Sequence, residues 1–372
     1  MNANERAAQT VYVGLSGGVD SSVAAALLKQ RGYRVVGVYL QNWTEAVAGV
    51  QCPWQTDLAD AKAVAARLDI PFKVLNFEAE YKARVVDYLV AEYQAGRTPN
   101  PDVMCNQEIK FKLFLETALA EGADLIATGH YARVKHGQLY AGVDTAKDQS
   151  YFLYRLSTQA VARSLLPIGD YHKAEVRALA AQLGLPTAAK PDSQGICFVG
   201  PVGLKDFLRP FVTAKPGPVI LIRDGRQVGR HDGAVFYTIG QRHGLGIGGG
   251  QPYYVVSKDM GANTVYVTDE PADQLLASDR FDVADLHWIK DEPQLSKTYR
   301  VRSRYRANLI ACRLQKTDTG YRVHMLGPER AISPGQSAVI YDGGRVLGGG
   351  IISADPAIAP SIHDNYKKQP AH

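Results

Sequence analysis

Ser16-Gly17-Gly18-Val19-Asp20-Ser21 has the composition of an oxyanion cradle. A glycine pair lets the backbone turn so tightly that successive amides converge on one point. The apolar run 11–15 before it reads as a buried strand, and the alanine- and leucine-rich run 22–31 behind it reads as a helix. A helix start adds free N–H groups and the positive end of the dipole. No Gly-Lys-Ser/Thr closes the turn and no lysine lies within it, which separates it from the loop of simple nucleoside-triphosphate hydrolases. Phosphate is the ligand expected, against the blander reading of a plain strand-to-helix connection.

The second chemistry resides in thiols. The four cysteines are Cys52, Cys105, Cys197 and Cys312, with no C-x-x-C pair among them, which argues against a zinc knuckle and, in a chain read as cytoplasmic, against structural disulfides. Cys105 follows Thr98-Pro99-Asn100-Pro101-Asp102, where two prolines interrupt a helical pattern and a new helix is expected to begin just after the thiol. A helix N-terminus favours the thiolate, and Asp102 is near enough to exchange protons at the same centre. Asp102 or Asn106 as a helix cap, with Cys105 as packing, is an equal alternative. Cys197 sits in Asp192-Ser193-Gln194-Gly195-Ile196-Cys197-Phe198, either a polar loop or the buried strand 196–199. Cys312 lies in a strand pattern and reads as core, and Cys52 has no comparable surroundings.

Strand and helix signals alternate through the first half, with strands at 35–40, 72–77 and 124–128 and helices at 56–68, 80–93 and 108–121. That order predicts an α/β fold with a doubly wound parallel sheet, whose ligands gather at the carboxyl ends of strands. The glycine loop, Leu40 and Gly129-His130 fall at such ends. A hairpin is expected over 132–143, turning at His136-Gly137, and a helix over 173–183. From about Pro201 short strands with glycine and proline turns take over, at 219–222, 235–238, 253–256 and 265–267, then 299–314 and 321–325 among others. The division expected is 1–204 catalytic, 205–280 a small mostly β linker, 281–360 a β-barrel, and a disordered tail 361–372.

The six-residue loop resembles the pyrophosphatase loop of the N-type ATP pyrophosphatases, in which the turn holds the β and γ phosphates and a substrate oxygen is adenylated. Two loop thiols beside such a crevice suggest sulfur transfer, one carrying a persulfide and the other releasing it through a disulfide. The motifs Asn100-Pro101-Asp102-Val103-Met104-Cys105-Asn106, Thr128-Gly129-His130-Tyr131-Ala132-Arg133, 147–153, 192–198, Tyr237-Thr238-Ile239-Gly240-Gln241-Arg242 and Ser333-Pro334-Gly335-Gln336 occur in order. Together they resemble the tRNA-specific 2-thiouridylase family over essentially the whole chain. That resemblance implies ATP, with Mg2+ on its phosphates and no protein-held metal, adenylating the C2 oxygen of a wobble uridine. It implies ATP contacts from Gly14, Leu15, Ser16, Gly17, Gly18, Val19, Asp20, Ser21, Leu40 and Gly129. Cys197 is then the persulfide carrier, Cys105 the second nucleophile, the two forming a transient disulfide, and Asp102 the acid/base. Contacts to tRNA are implied for Asn100, Pro101, Asp102, His130, Lys147, Asp148, Gln149, Arg304, Tyr305 and Gln336. A persulfide-donating sulfur carrier or cysteine desulfurase is the partner implied. The thiols are 92 positions apart, so the loop bearing Cys197 is expected to be disordered or rearranged without tRNA.

Independent of any resemblance, Arg300, Arg302, Arg304 and Arg306 alternate at period two, which on one strand aligns four guanidiniums for phosphate. The rival is a charged edge strand that resists aggregation. The 372 residues carry a net charge of +5 and are 46% hydrophobic, ordinary for a soluble protein that can bind nucleic acid. No apolar run matches a membrane span or signal peptide, so a cytoplasmic monomer is expected. The competing functions are an amidotransferase-like ligase, which leaves the thiol loops unexplained, and a tRNA-binding protein with a regulatory nucleotide site. An iron–sulfur cluster would require Cys52 to join the two motif thiols and is the lesser reading.

Overall fold

A computed structural model describes residues 3–46, 54–192, 203–248, 250 and 252–353. Cys52, the Ser193–Phe198 part of the second thiol motif and the tail after 353 lie outside the described residues. The first half carries strands β1 (Thr10–Gly14), β2 (Arg34–Gln41), β3 (Phe72–Asn76) and β4 (Leu125–Ala127), the hairpin strands β5 (Ala132–Lys135) and β6 (Gln138–Ala141), and β7 (Ser164–Leu165). All but the hairpin form one parallel sheet in the order β3–β2–β1–β4–β7. Val11, Val13 and Leu15 pack with Ala25, Leu28 and Val35 on one face. Tyr12, Val38 and Ile126 pack with the helical stretches 78–94 and 101–120 on the other. Burial on both faces is why these strands read as apolar runs without alternation. The chain runs β1 to β2 to β3 in one direction and places β4 and β7 on the other side, so the sheet reverses order between β1 and β4. That reversal opens a crevice at the carboxyl ends of these two strands.

Both helical stretches contain π-helical turns, at Lys82–Val86 and Cys105–Leu113. The middle of the chain forms a four-stranded sheet from β8 (Gly217–Leu221), β9 (Gln227–His231), β10 (Tyr254–Asp259) and β11 (Thr264–Thr268), in the order β10–β11–β8–β9. The strand expected at 235–238 is instead a 3-10 turn over Ala234–Phe236. Gly233 precedes it at φ 148 and donates its N–H to His231 Nδ1 at 3.0 Å, which coils the chain before it can extend.

The last third is an antiparallel barrel of β12 (Ala277–Trp288), β13 (Tyr299–Arg302), β14 (Ile310–Thr317), β15 (Gly320–Arg330), β16 (Ser337–Asp342) and β17 (Arg345–Ile352). The order β12–β15–β14–β13–β16–β17 closes through pairing of β12 with β17. Phe281, Val301, Cys312, Val323, Ile340 and Ile352 fill it. The barrel sheet does not stop at its own strands, because β6 adds to β17 with Tyr140 opposite Arg345 and the Ala141 N–H bonded to the Gly344 carbonyl at 2.8 Å. The hairpin of the first half thus extends the sheet of the last third. Among the described residues no helix is long and apolar enough to cross a membrane.

The expected arginine row is corrected here. Strand β13 ends at Arg302, and residues 303–309 turn, with Arg306 at φ 63. Arg304 and Arg306 therefore leave the strand face that Arg300 and Arg302 begin.

Candidate functional site

The glycine loop leaves β1 where Leu15 donates its N–H to the Val38 carbonyl at 2.7 Å. Gly17 turns the chain at φ 72, and any Cβ there would lie 2.4 Å from the Asp57 carbonyl oxygen, so only glycine fits. The helix Val19–Gln30 begins at Gly18 with no side-chain cap, which leaves its first amides to a ligand. Ser21 ties the turn across itself: its Oγ accepts from the Ser16 N–H at 3.2 Å and donates to the Gly18 carbonyl at 3.2 Å. Ser22 Oγ donates to the same carbonyl at 2.7 Å and accepts from Thr187 Oγ1 at 2.9 Å. The loop is fixed before any ligand arrives, which reduces the ordering cost of binding.

From the other side of the crevice, Gly129 follows β4 and lies directly on this loop. A Cβ at 129 would be 2.6 Å from the Ser21 amide nitrogen. Leu40, at the end of β2, is half-buried against the adjoining core. Residues 14–21 and Gly129 are therefore brought together at one end of the sheet.

Around Cys105 the structure departs from expectation. The helix starts earlier, at Pro101, with Asn100 as its cap: Asn100 Oδ1 accepts from the Asp102 and Val103 amides at 3.2 and 3.4 Å. Proline at the first helical position has no amide to leave unsatisfied. Neither Asp102 nor Asn106 is the cap. Cys105 is consequently in the second turn and 2% exposed. Burial, chiefly, pushes its thiol up; Asp102 adds to the rise, while Lys110 and Tyr81 oppose it. The expected thiolate-favouring helix end is overturned in this state. Cys312 sits in the barrel core, its thiol pushed up to about 12 by burial.

Several motif residues are engaged inside the protein. His130 is buried, its Nδ1 2.7 Å from Thr128 Oγ1 and its ring against Phe111; burial first, then Lys110, holds it well below the usual histidine range. Asp148 accepts from the Gly142 and Ser150 amides and from Arg302 Nη1 at 2.8 Å, with side-chain exposures of 3% and 11% for the pair. The second arginine of the expected row is thus neutralised in the interior. Gln149 and Tyr131 exchange bonds, each 2.9 Å, between Gln149 Oε1 and the Tyr131 N–H and between the Gln149 N–H and the Tyr131 carbonyl. Tyr305 stacks 4.4 Å from Phe152, with Arg306 over its other ring contact at 5.3 Å. Arg304 is exposed, 3.8 Å from Glu329.

Gln336 Nε2 donates to the Thr98 carbonyl at 2.7 Å, and the Thr98 N–H donates to the Pro334 carbonyl at 2.9 Å. Thr98 Oγ1 also lies 3.2 Å from Thr238 Oγ1. The segment leading into Asn100-Pro101-Asp102 is held by the barrel turn on one side and the central sheet on the other.

One residue escaped the sequence reading. Lys173, first in the helix Lys173–Gln182, places Nζ 2.8 and 2.9 Å from the two oxygens of Asp20 and 2.8 Å from Asp192. Asp192 also receives Lys147 at 2.8 Å and Arg177 at 2.6 Å. Burial raises its pKa, but Lys147 and Lys173 outweigh that and hold the carboxyl well below its ordinary value. A lysine 153 positions from the loop gives no local signal; only the fold joins them.

Comparison with known proteins matches three family models in series: a tRNA methyl transferase HUP domain over 9–201, a tRNA methyl transferase PRC-barrel domain over 205–269 and an aminomethyltransferase beta-barrel domain over 278–352. The chain is 47% identical over 359 residues to a tRNA-specific 2-thiouridylase MnmA of Pseudomonas aeruginosa, covering 94% of this chain and 96% of that protein. It is 49% identical over 357 residues to one of Haemophilus ducreyi, covering 92% of each. A solved 4-thiouridine synthetase–RNA complex with bound ATP is similar at TM-score 0.34 and 17% identity, over 52% of this chain and 45% of that one.

Proposed function

This chain belongs to the tRNA-specific 2-thiouridylase family, and from that membership we propose how it uses ATP to make 2-thiouridine at the wobble position of tRNA. The observation that carries the reading is the preformed Ser16–Ser21 turn with an uncapped helix start, closed from the opposite strand by Gly129. Such a cradle holds the β and γ phosphates and leaves the α phosphate facing outward. The uridine C2 oxygen attacks that phosphorus and pyrophosphate leaves. Mg2+ rides on the phosphate oxygens and offsets their charge. Asp102, at the first turn of the capped helix, exchanges the proton at the base.

Sulfur arrives on Cys197 as a persulfide donated by a carrier or a cysteine desulfurase. Its terminal sulfur attacks C2 and AMP departs, leaving the base joined to Cys197 through a disulfide. The Cys105 thiolate then attacks Cys197 Sγ, which forms the Cys105–Cys197 disulfide and frees the thiocarbonyl. Alternatively Cys105 attacks the persulfide first and releases hydrosulfide as the nucleophile. Either route leaves the pair oxidised, and an external thiol must supply two electrons before the next turnover. Because the thiol of Cys105 is buried and protonated-favoured in the described state, tRNA binding is required to expose it.

We read the cell context as cytoplasmic and the protein as a monomer, with units near 1–204, 205–280 and 281–360. Incubation with tRNA, ATP and a persulfide source, followed by nucleoside mass analysis, tests the proposal. The expected products are 2-thiouridine, AMP and pyrophosphate in equal amounts, all dependent on tRNA. Nucleotide cleavage without tRNA, or thiolation that survives both Cys105→Ser and Cys197→Ser, removes it.

A further inference from the structure

An anion-binding turn is an awkward place for an aspartate. Asp20 is the second residue of the helix Val19–Gln30, at the end where a polyphosphate would sit. A carboxylate there satisfies the helix dipole but repels a ligand of the same sign. The structure resolves the conflict from outside the loop. Lys173 Nζ contacts both carboxylate oxygens of Asp20, at 2.8 and 2.9 Å, and Tyr131 donates its hydroxyl to Oδ1 at 2.8 Å. The ammonium is only 12% exposed and lies 5.8 Å from the Tyr131 ring centroid. It is held there by a second carboxylate, Asp192 at 2.8 Å, which is itself shared with Lys147 and Arg177.

We propose that Lys173 is a positioning residue for the nucleotide: it masks the charge of Asp20 so that the loop presents a cradle free of negative charge to the phosphates of ATP. This rests on the reading of the loop as an ATP site. The role given to a lysine inside the loop of simple nucleotide hydrolases is divided here between backbone amides and a lysine delivered by a later helix. Two features favour this over a purely structural ion pair. The carboxylate it neutralises is the one acidic group within the six-residue turn. Its surroundings also do not need it for balance: Asp192 keeps Lys147 and Arg177 if Lys173 is lost, whereas Asp20 keeps a neutral hydroxyl.

The test is equilibrium ATP binding to the full chain, with tRNA affinity and thermal midpoint measured alongside. Lys173→Met is expected to weaken ATP binding about tenfold or more, the size of one unmasked charge a few ångströms away in a partly screened site. Adding Asp20→Asn should restore most of that loss, because the repulsion is gone. Lys173→Arg should bind ATP nearly as wild type, and tRNA affinity should stay unchanged in all variants. If Lys173→Met does not fold, Lys173→Gln carries the same expectation, since it keeps a donor for Asp20 without the charge. Unaltered ATP affinity in the neutral variant overturns the inference. So does a double variant that binds ATP no better than the single one. If wild type binds ATP yet forms no 2-thiouridine, the proposed function fails while this inference is still read from binding alone.

Discussion

The pair Asp148–Arg302 illustrates how much a single residue can carry. Both side chains are removed from water and joined at 2.8 Å, one from the motif after the hairpin and one from the end of β13. Removing either partner leaves the other charge buried alone, so Asp148→Ala is expected to destabilise by about 3–5 kcal/mol. A lowered urea midpoint, with ATP affinity of the remaining folded protein unchanged, checks this; unchanged stability rejects it. The neighbouring Arg300, Arg304 and Arg306 face outward and should act differently. Replacing Arg304 with Ala should weaken tRNA binding modestly and reduce its salt slope by about one if it meets a phosphate. Cys105 belongs at this scale too. With its thiol pushed up by burial, alkylation should be slow at pH 7–8 in the free protein and accelerate when tRNA is added. Equal rates with and without tRNA would exclude the exposure step.

At the scale of elements, the loop, the strand ends and the helix starts decide the site. Gly129→Ala puts a methyl 2.6 Å from the Ser21 amide, and that contact is backbone on backbone, with no flexible side chain to give way. ATP-dependent thiolation should fall by about a hundredfold or more, while tRNA binding persists; normal ATP affinity in this variant would place the nucleotide elsewhere. Much of this arrangement was readable in advance. The alternation of strands and helices, the glycine turn and the hairpin turning at His136-Gly137 follow from periodicity and local backbone demands, and the observed hairpin strands flank those two residues. What was not readable depends on contacts distant in sequence. The helix begins at Pro101 because Asn100 caps it, a competition among Asn100, Asp102 and Asn106 that composition cannot settle. The arginine alternation promised a long strand, yet the chain turns after Arg302, whose guanidinium is drawn inward by Asp148. Lys173 and Gln336 carry no motif-level hint of their partners, since those partners lie 153 and 238 positions away.

For the whole molecule, the three sheets share seams. Thr98 is bonded to the barrel turn and faces the central sheet, and Tyr305 stacks on Phe152 across the same boundary. Three histidines distributed among the sheets, His130, His231 and His287, are all held below the usual range, in each case first by burial. Each stays neutral when folded but takes up a proton near pH 6.5 when unfolded. The unfolded chain thus binds more protons below that point, and stability is fully present above about pH 6.5 and is lost as pH falls toward the lowered folded values. The thermal midpoint should therefore drop between pH 7 and 5, before Asp192 and Asp282, whose carboxyls are held low, begin to lose their partners. A midpoint flat across that window contradicts the burial of these imidazoles. The seam between β6 and β17 has a consequence for synthesis on the ribosome. Tyr140 emerges about 200 residues before its partner Arg345, which at ~5–20 residues per second is a wait of roughly 10–40 s. During that interval the hairpin presents an open strand edge to whatever is nearby, so a nascent chain stalled before residue 345 is the form of this protein that most needs a chaperone.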